Sequence, residues 1–134
     1  MNLQQFFNDT LTNGGASFNI LTGEYNPSNG YMLAIKGHEL QVPLNNFNQK
    51  VLSDYIKSKA DILMSGITND KFIGSWVDNG IVYLDCSMKY LSASQAIQTG
   101  IENGELAIWD NFLKASIPCN NLALEQARKV DSLS

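Results

Sequence analysis

The sequence predicts an α+β fold in which two or three helices pack on an antiparallel sheet built from hairpins. The main observation is the stretch 72–87, where two runs of apolar and β-branched residues flank Asn79-Gly80, the strongest short-range signal for a hairpin turn. Three other segments space their apolar residues three to four positions apart, as amphipathic helices do. Repeated strand–helix–strand units, which a parallel sheet needs, are missing from the pattern.

The hairpin also predicts which side chains face each other. With Asn79-Gly80 as a two-residue turn, Trp76 pairs with Tyr83 and Gly74 with Asp85. Because side chains alternate between the faces of a strand, one face is apolar and should build the core: Ile73, Val77, Val82, Leu84 and Cys86. The opposite face carries the two aromatic rings with Asp85 beside them.

Apolar spacing and stop signals predict the remaining elements. In chain order these are a helix over 2–13, strands over 16–21, 31–35 and 39–42, a helix from Asn45 or Asn46 to about Met64, the hairpin, a helix from Ser92 to Gly104, strands over 105–110 and 112–117, and a helix over 120–130. Ser92 and Gln95 form a capping box, and small residues around Gly100 allow that helix to approach its sheet closely. We expect residues 1–118 to form a single α+β domain and residues 119–134 to be a C-terminal tail or a lightly docked short helix.

Composition and charge exclude several classes of function. The formal net charge of the 134 residues is −4, whereas binding to a phosphate backbone needs clustered lysines and arginines, so we expect no direct nucleic-acid binding. No apolar run approaches the length of a membrane span, and the N-terminus has no basic flank followed by an apolar stretch, as a signal peptide would. The two isolated cysteines, Cys86 and Cys119, suit a reducing compartment. These features predict a cytoplasmic protein without a membrane partner.

The search for catalytic chemistry finds carboxylates but no catalytic motif. The sequence has no G-x-S-x-G, no phosphate-binding glycine loop and no H-E-x-x-H, and its single histidine, His38, lies in a predicted turn. One alternative is a small metal-dependent hydrolase that uses Asp78, Asp85 or Asp110. In the simpler interpretation, Asp78 supports the turn and Asp85 bonds a backbone amide, since about 3.4 Å per residue places them roughly 10 Å apart. We therefore expect no enzyme, no cofactor and no metal.

Aromatic side chains with few charges around them indicate a protein–protein contact, because tryptophan and tyrosine dominate such interfaces. The candidate interface residues are Trp76, Tyr83, Asp78, Asp85, Tyr25 and Tyr31. Two alternatives stay open. A helix covers Trp76 and Tyr83, which then belong to the core, or the aromatic face forms a structural homodimer.

Several motifs as a set point to a family: TGEYNP at 22–27 followed by GYM at 30–32, GSWVDNG at 74–80 with VYLD at 82–85, and LAIWD at 106–110. Over about residues 16–117 the chain resembles small uncharacterised proteins carried by bacteriophages, plasmids and conjugative elements, chiefly of Gram-positive bacteria. The resemblance implies a cytosolic accessory protein of a mobile element, and it brings no catalytic residue. Such proteins often bind and inhibit a host factor, including restriction or CRISPR nucleases. We expect a non-enzymatic, protein-binding phage protein of this kind, with anti-CRISPR activity as one form.

Overall fold

The computed structural model describes residues 3–65 and 70–133. In these ranges the elements are α1 (Leu3–Asn13), β1 (Gly15–Phe18), β2 (Tyr31–Ala34), β3 (Leu40–Pro43), a 3₁₀ turn (Leu44–Asn46), α2 (Gln49–Ser58), α3 (Ala60–Leu63), β4 (Lys71–Asp78), β5 (Ile81–Tyr90), α4 (Ala93–Asn103), β6 (Ala107–Asp110), β7 (Ala115–Pro118) and α5 (Asn121–Asp131). The described strands belong to one antiparallel sheet. The predicted α+β class is therefore confirmed.

Strand pairing is less local than the hairpin pattern predicts. Strands that follow each other in sequence pair at β4–β5 and at β6–β7. In contrast, β1 pairs with β4, β2 with β6, and β3 with β5. A strand that is followed by a long connection need not pair with the next strand in sequence. A turn-rich loop follows β1, and helices α2 and α3 follow β3. The described residues fall into two compact units, the first within 1–26 and 37–87 and the second within 27–36 and 88–134.

The first unit places α1 on one face of its strands. Phe6 is fully buried, with its ring centroid 6.4 Å from that of Phe18, and the Thr10 hydroxyl lies 2.6 Å from that of Ser75 on β4. The fully buried apolar side chains of this unit are Phe6, Leu52, Leu63, Phe72, Ile73, Val82, Leu84 and Cys86. Four of the five residues predicted for the apolar hairpin face are among them. That face builds the core, as predicted.

The helix predicted from Asn45 or Asn46 to Met64 is divided, and that prediction is wrong in its start and its continuity. Asn48 is the N-cap, and its side chain accepts a hydrogen bond from the Val51 N–H. Residues Leu44–Asn46 form the 3₁₀ turn instead, because the Leu44 N–H donates to the Gly80 carbonyl in the hairpin turn. The helix is interrupted at Lys59, where α2 ends and α3 follows.

In the second unit, α4 has the predicted ends and the predicted close contact. Ser92 is its N-cap and accepts from the Gln95 N–H, and Gly104 follows it with a left-handed φ of 73°. At Gly100 an added Cβ would lie 2.5 Å from the Cys119 sulfur, so only glycine fits there without displacing a neighbour. The buried core of this unit consists of Leu33, Ala96, Ile97, Ile108 and Leu124.

The C-terminal helix α5 contacts the rest of the second unit at both of its ends. Leu124 is buried in the core of the second unit. At the other end of α5, Asp131 accepts hydrogen bonds from the Ser92 hydroxyl and from the N–H and hydroxyl of Ser94. These contacts hold both ends of α5 against α4. The apolar side chain Leu124 packs into the core at one end, and the Asp131 carboxylate bonds the N-terminus of α4 at the other.

Candidate functional site

The aromatic pair of the hairpin adopts the geometry that its register predicts. The rings of Trp76 and Tyr83 stack with centroids 4.1 Å apart and planes inclined by 12°. Asn79 and Gly80 have φ angles of 52° and 78°, the two positive values that a type I′ turn requires. This turn sets the register and so brings the two rings together.

Helices α1 and α2 of the first unit lie on the opposite face of the hairpin from Trp76 and Tyr83. Ser75 precedes Trp76 in β4 and contacts Thr10 of α1, so it points away from Trp76. On β5, Cys86 lies 3.7 Å from the Tyr55 hydroxyl of α2 and likewise faces away from Tyr83. Trp76 is 45% exposed and Tyr83 is half-buried. Helices α1 and α2 therefore leave the pair uncovered.

The strands on either side extend the pair into a row without charge. Gly15 of β1 lies opposite Trp76, and Gln41 of β3 lies opposite Tyr83. We call these four residues, Gly15, Trp76, Tyr83 and Gln41, the aromatic row. The row crosses four strands in the order Gly15, Trp76, Tyr83 and Gln41. Its exposed tryptophan and its exposed amide are suited to contact with another protein.

Both predicted hairpin carboxylates lie on the face of the aromatic row. Asp78 is exposed beside the turn. Asp85 packs against Gly74, where an added Cβ would lie 2.4 Å from its Oδ1, and it accepts a hydrogen bond of 2.9 Å from the Ser87 hydroxyl. Because side chains alternate between the two faces of a strand, this face of residues 72–78 and 81–87 carries two aspartates and neither lysine nor arginine. The surroundings of the row are therefore acidic.

Tyr25 and Tyr31, the other two predicted interface residues, are held by neighbours in different units. The Tyr25 ring meets Phe18 edge-on at 6.4 Å, and its hydroxyl donates to the Asp9 carboxylate. Burial and then Asp9 raise the pKa of Tyr25 well above its ordinary value. Tyr31 lies in the second unit, where it packs against the buried core and pairs with Asp110; burial and that carboxylate raise its pKa.

The third predicted carboxylate, Asp110, supports a turn. It is buried in the second unit, and its Oδ1 accepts hydrogen bonds of 2.9 Å and 3.0 Å from the N–H groups of Phe112 and Leu113. Asp78 and Asp85 belong to the first unit. Within residues 3–65 and 70–133, no three histidine, cysteine, aspartate or glutamate side chains come together as metal ligands.

The cysteines are held as protonated thiols at neutral pH. Burial raises the pKa of the Cys86 thiol. Burial and then Glu105 raise the pKa of the Cys119 thiol. Because the thiolate is the reactive form, neither environment activates sulfur for nucleophilic chemistry.

One exposed feature escapes the sequence prediction. Phe112 and Leu113 are assigned to a strand by their apolar character, but they form the loop between β6 and β7. The sequence signal for this loop is Asp110-Asn111, since both residue types favour turns by bonding backbone groups a few positions ahead.

Comparison of the chain with protein-family models, with curated proteins and with solved structures finds no match. In the described part of the chain, no helix has the length and apolar character needed to cross a membrane.

Proposed function

We propose that the chain is a non-enzymatic binding protein that contacts a protein partner through its aromatic row. The observation that carries this function is the stack of exposed Trp76 on half-buried Tyr83, on a strand face that α1 and α2 leave open. Exposed tryptophan and tyrosine supply most of the binding energy where proteins meet. Stacking fixes both rings before binding, so little side-chain freedom is lost in the complex.

The charges around the row favour a partner with basic residues. Asp78 and Asp85 lie on the same strand face as the aromatic rings, and the whole chain carries a net charge of −4. Complementary charges around an apolar centre accelerate association and select the partner. A protein that binds nucleic acid presents such basic surfaces to phosphates.

A host-defence nuclease meets this chemical description. The resemblance of residues 16–117 to proteins of phages and conjugative elements supports the same partner, in the cytoplasm of the host cell. In this proposal the chain occupies the basic surface of a restriction or CRISPR nuclease and inhibits it without catalysis. The acidic flanks then take the place of phosphates.

The same observations weigh against the two alternatives. A second copy of the chain would bring two more aspartates to the contact, and like charges in an interface cost binding energy. Of the three carboxylates that a hydrolase could use, Asp78, Asp85 or Asp110, the last already bonds the backbone of its own turn.

The test compares Trp76→Ala with Leu21→Ala, a variant at a similarly exposed apolar residue of the same unit (45% and 48%). Each tagged protein is used to capture partners from a Gram-positive host lysate, with light scattering on the purified chain. We expect a stoichiometric partner with wild type and Leu21→Ala, its loss with Trp76→Ala, and a monomer in solution. Equal recovery with both variants, no partner at all, or a dimer that Trp76→Ala dissociates would each contradict the proposal.

A charge reversal tests the partner's chemistry. Asp78→Lys should weaken capture and reduce its dependence on salt, because an attraction to basic residues becomes a repulsion. Lys50→Glu, an exposed reversal on α2, is the control and should leave capture unchanged. Tighter binding by Asp78→Lys would exclude a basic partner surface.

A further inference from the structure

The indole of Trp76 has one ring face in contact with a neighbour and one ring face open. Its ring contact among the described residues is the stack on Tyr83 of β5. On the other side, β1 places Gly15, which has no side chain, opposite Trp76. Within residues 3–65 and 70–133 no cation lies over the indole, since the described cation–π contact joins Lys59 and Tyr55. The second ring face is therefore free to receive a planar group from outside the chain.

The close approach of β1 to β4 keeps the space beside the indole free of side chains. A Cβ added to Gly15 would lie 2.6 Å from the Ser75 carbonyl oxygen, closer than real Cβ atoms come to such a neighbour, so this position requires glycine. Among the described strands, β1 also ends the sheet on this side. We call the open face of Trp76, together with the bare backbone at Gly15, the indole slot.

Asp78 places a carboxylate beside the slot. It follows Trp76 by two positions on the same strand face, which is about 7 Å at about 3.4 Å per residue. Its side chain is exposed. In the described part of the chain, the salt bridge joins Lys50 and Asp54, and Asp78 has no cation within salt-bridge distance. The slot thus combines an aromatic face with a negative charge that the described residues do not neutralise.

We propose that the indole slot binds an arginine side chain of the protein partner. A guanidinium is planar and weakly hydrated, so it stacks flat on an aromatic ring while its edge donates hydrogen bonds to a carboxylate. A lysine ammonium is compact and strongly hydrated, so it gains less from the open ring face. The inference rests on the function proposed for the aromatic row, and it names the residue type that the row selects.

A second copy of the chain is a poor source of this arginine. Arg128 is the only arginine among the 134 residues, and it donates a hydrogen bond of 2.9 Å to the side-chain oxygen of Gln98. Two copies also carry the same net charge of −4, and like charges oppose their association. A basic partner of a different sequence has neither disadvantage.

Three labelled peptides test the slot directly: hexaarginine, hexalysine and hexacitrulline. The first two carry equal charge, so the difference between them measures the contribution of the guanidinium. The third keeps the planar shape of the side chain without its charge. Fluorescence anisotropy at physiological ionic strength gives their affinities for the purified chain. We expect wild type to bind hexaarginine roughly fivefold more tightly than hexalysine, and not to bind hexacitrulline measurably.

Variants separate the ring from the carboxylate. Trp76→Leu should remove the preference for hexaarginine, and Trp76→Phe should reduce it, because phenylalanine offers a cation less than tryptophan does. Trp76→Phe keeps an aromatic ring and supplies the same comparison if Trp76→Leu lowers Tm. Asp78→Asn should weaken the binding of both cationic peptides.

The matched control is Trp109→Leu. Trp109 is similarly exposed (42%), but the residues two positions to either side of it, Ala107 and Asn111, carry no charge. An exposed indole without a neighbouring carboxylate lacks half of the proposed site, so Trp109→Leu should keep both the affinity and the preference of wild type.

Several results would overturn the slot. These are equal affinities for hexaarginine and hexalysine, tight binding of hexacitrulline, a preference that survives Trp76→Leu or is lost equally in Trp109→Leu, binding that Asp78→Asn leaves unchanged, and a dimer in sedimentation that Trp76→Leu dissociates.

The capture experiment on the aromatic row distinguishes this inference from the proposed function. If a partner is captured through Trp76 but the peptides show no preference for arginine, the slot is overturned and the proposed function stands. If the preference depends on Trp76 but no partner is captured, the slot stands and the proposed function is contradicted.

Discussion

Thr10 of α1 and Ser75 of β4 bring their hydroxyl oxygens to 2.6 Å in the buried interior of the first unit. Thr10 donates to the Phe6 carbonyl at 2.8 Å, so the hydroxyl of Ser75 is the donor between them. The Ser75 oxygen also accepts from the Ala16 N–H at 3.2 Å. This pair joins α1, β1 and β4 through one buried polar network.

Removing one member of this network should destabilise the folded protein. Ser75→Ala removes the hydrogen-bond partner of the buried Thr10 hydroxyl, and we expect it to lower the free energy of unfolding by about 1–3 kcal/mol. Thr10→Val should cost a similar amount. Urea denaturation of both variants and of the double variant gives the coupling energy. We expect the double variant to lose clearly less than the sum, and strict additivity would show that the two hydroxyls do not interact.

The contact between Gly100 and Cys119 predicts that Gly100→Ala destabilises the wild-type protein but not a variant that lacks the Cys119 sulfur. In wild type, Gly100→Ala forces its Cβ to 2.5 Å from the Cys119 sulfur, and overpacking of this kind costs about 1–3 kcal/mol. In a Cys119→Ala background that sulfur is gone, and alanine is the better helix residue by about 1 kcal/mol. Thermal unfolding of the four proteins should show destabilisation in the first background and stabilisation or no loss in the second. The same loss in both backgrounds would mean that Cys119 is not the obstacle.

Lys114 has a φ of 54°, in the left-handed region where a side chain costs about 1–2 kcal/mol. Lys114→Gly should therefore raise the free energy of unfolding by about 1 kcal/mol. Lys129→Gly, in the last turn of α5, is the control with an ordinary helical backbone and should lower it by up to about 1 kcal/mol. Chemical denaturation measures both, and a loss in both variants would show that Lys114 is not strained.

Asp131 links the stability of the second unit to pH. Hydrogen bonds from Ser94 and Ser92 hold the pKa of its carboxyl below the ordinary value, so they favour the charged form. The stabilisation is fully present above the unfolded pKa of about 4 and is lost as the pH falls through the lower folded pKa. Asp131→Asn should lower Tm at pH 7, and the difference from wild type should shrink below about pH 4.

The control for this pH dependence is Glu125→Gln, an exposed carboxylate on the same helix. It should leave Tm nearly unchanged at both pH values. If the effect of Asp131→Asn is the same at pH 7 and at pH 3, the serine contacts do not depend on the charge of Asp131.

The sequence predicts the elements whose signals are local. The Asn79-Gly80 turn determines the register of its hairpin, and the register predicts both the Trp76–Tyr83 contact and the closeness of Gly74 to Asp85. Ser92 and Gly104 mark the ends of α4 in the same way, because a cap acts on backbone groups within one turn.

Long-range contacts determine the features that the sequence does not predict. Asn45, Asn46 and Asn48 are equally good N-caps by residue type, and the bond from Leu44 to Gly80 selects the third. The firm docking of α5 depends on Ser94, which lies 37 residues before Asp131. The exposure of Trp76 depends equally on where α1 and α2 pack. Local pattern carries no information about such partners.

The interleaved path of the chain sets the order in which its parts mature during synthesis. Tyr31 and Met32 of β2 pair with Asp110 and Trp109 of β6, so β2 leaves the ribosome about 80 residues before this partner, or roughly 4–16 s earlier at about 5–20 residues per second. Residues 37–87, the second segment of the first unit, emerge within that interval. The nascent chain thus carries Met32 and Leu33, buried in the finished protein, as an apolar segment awaiting its partner. A translational pause before residue 107 would prolong the time that β2 spends without β6, although β5, its neighbour on the other side in the sheet, has by then emerged.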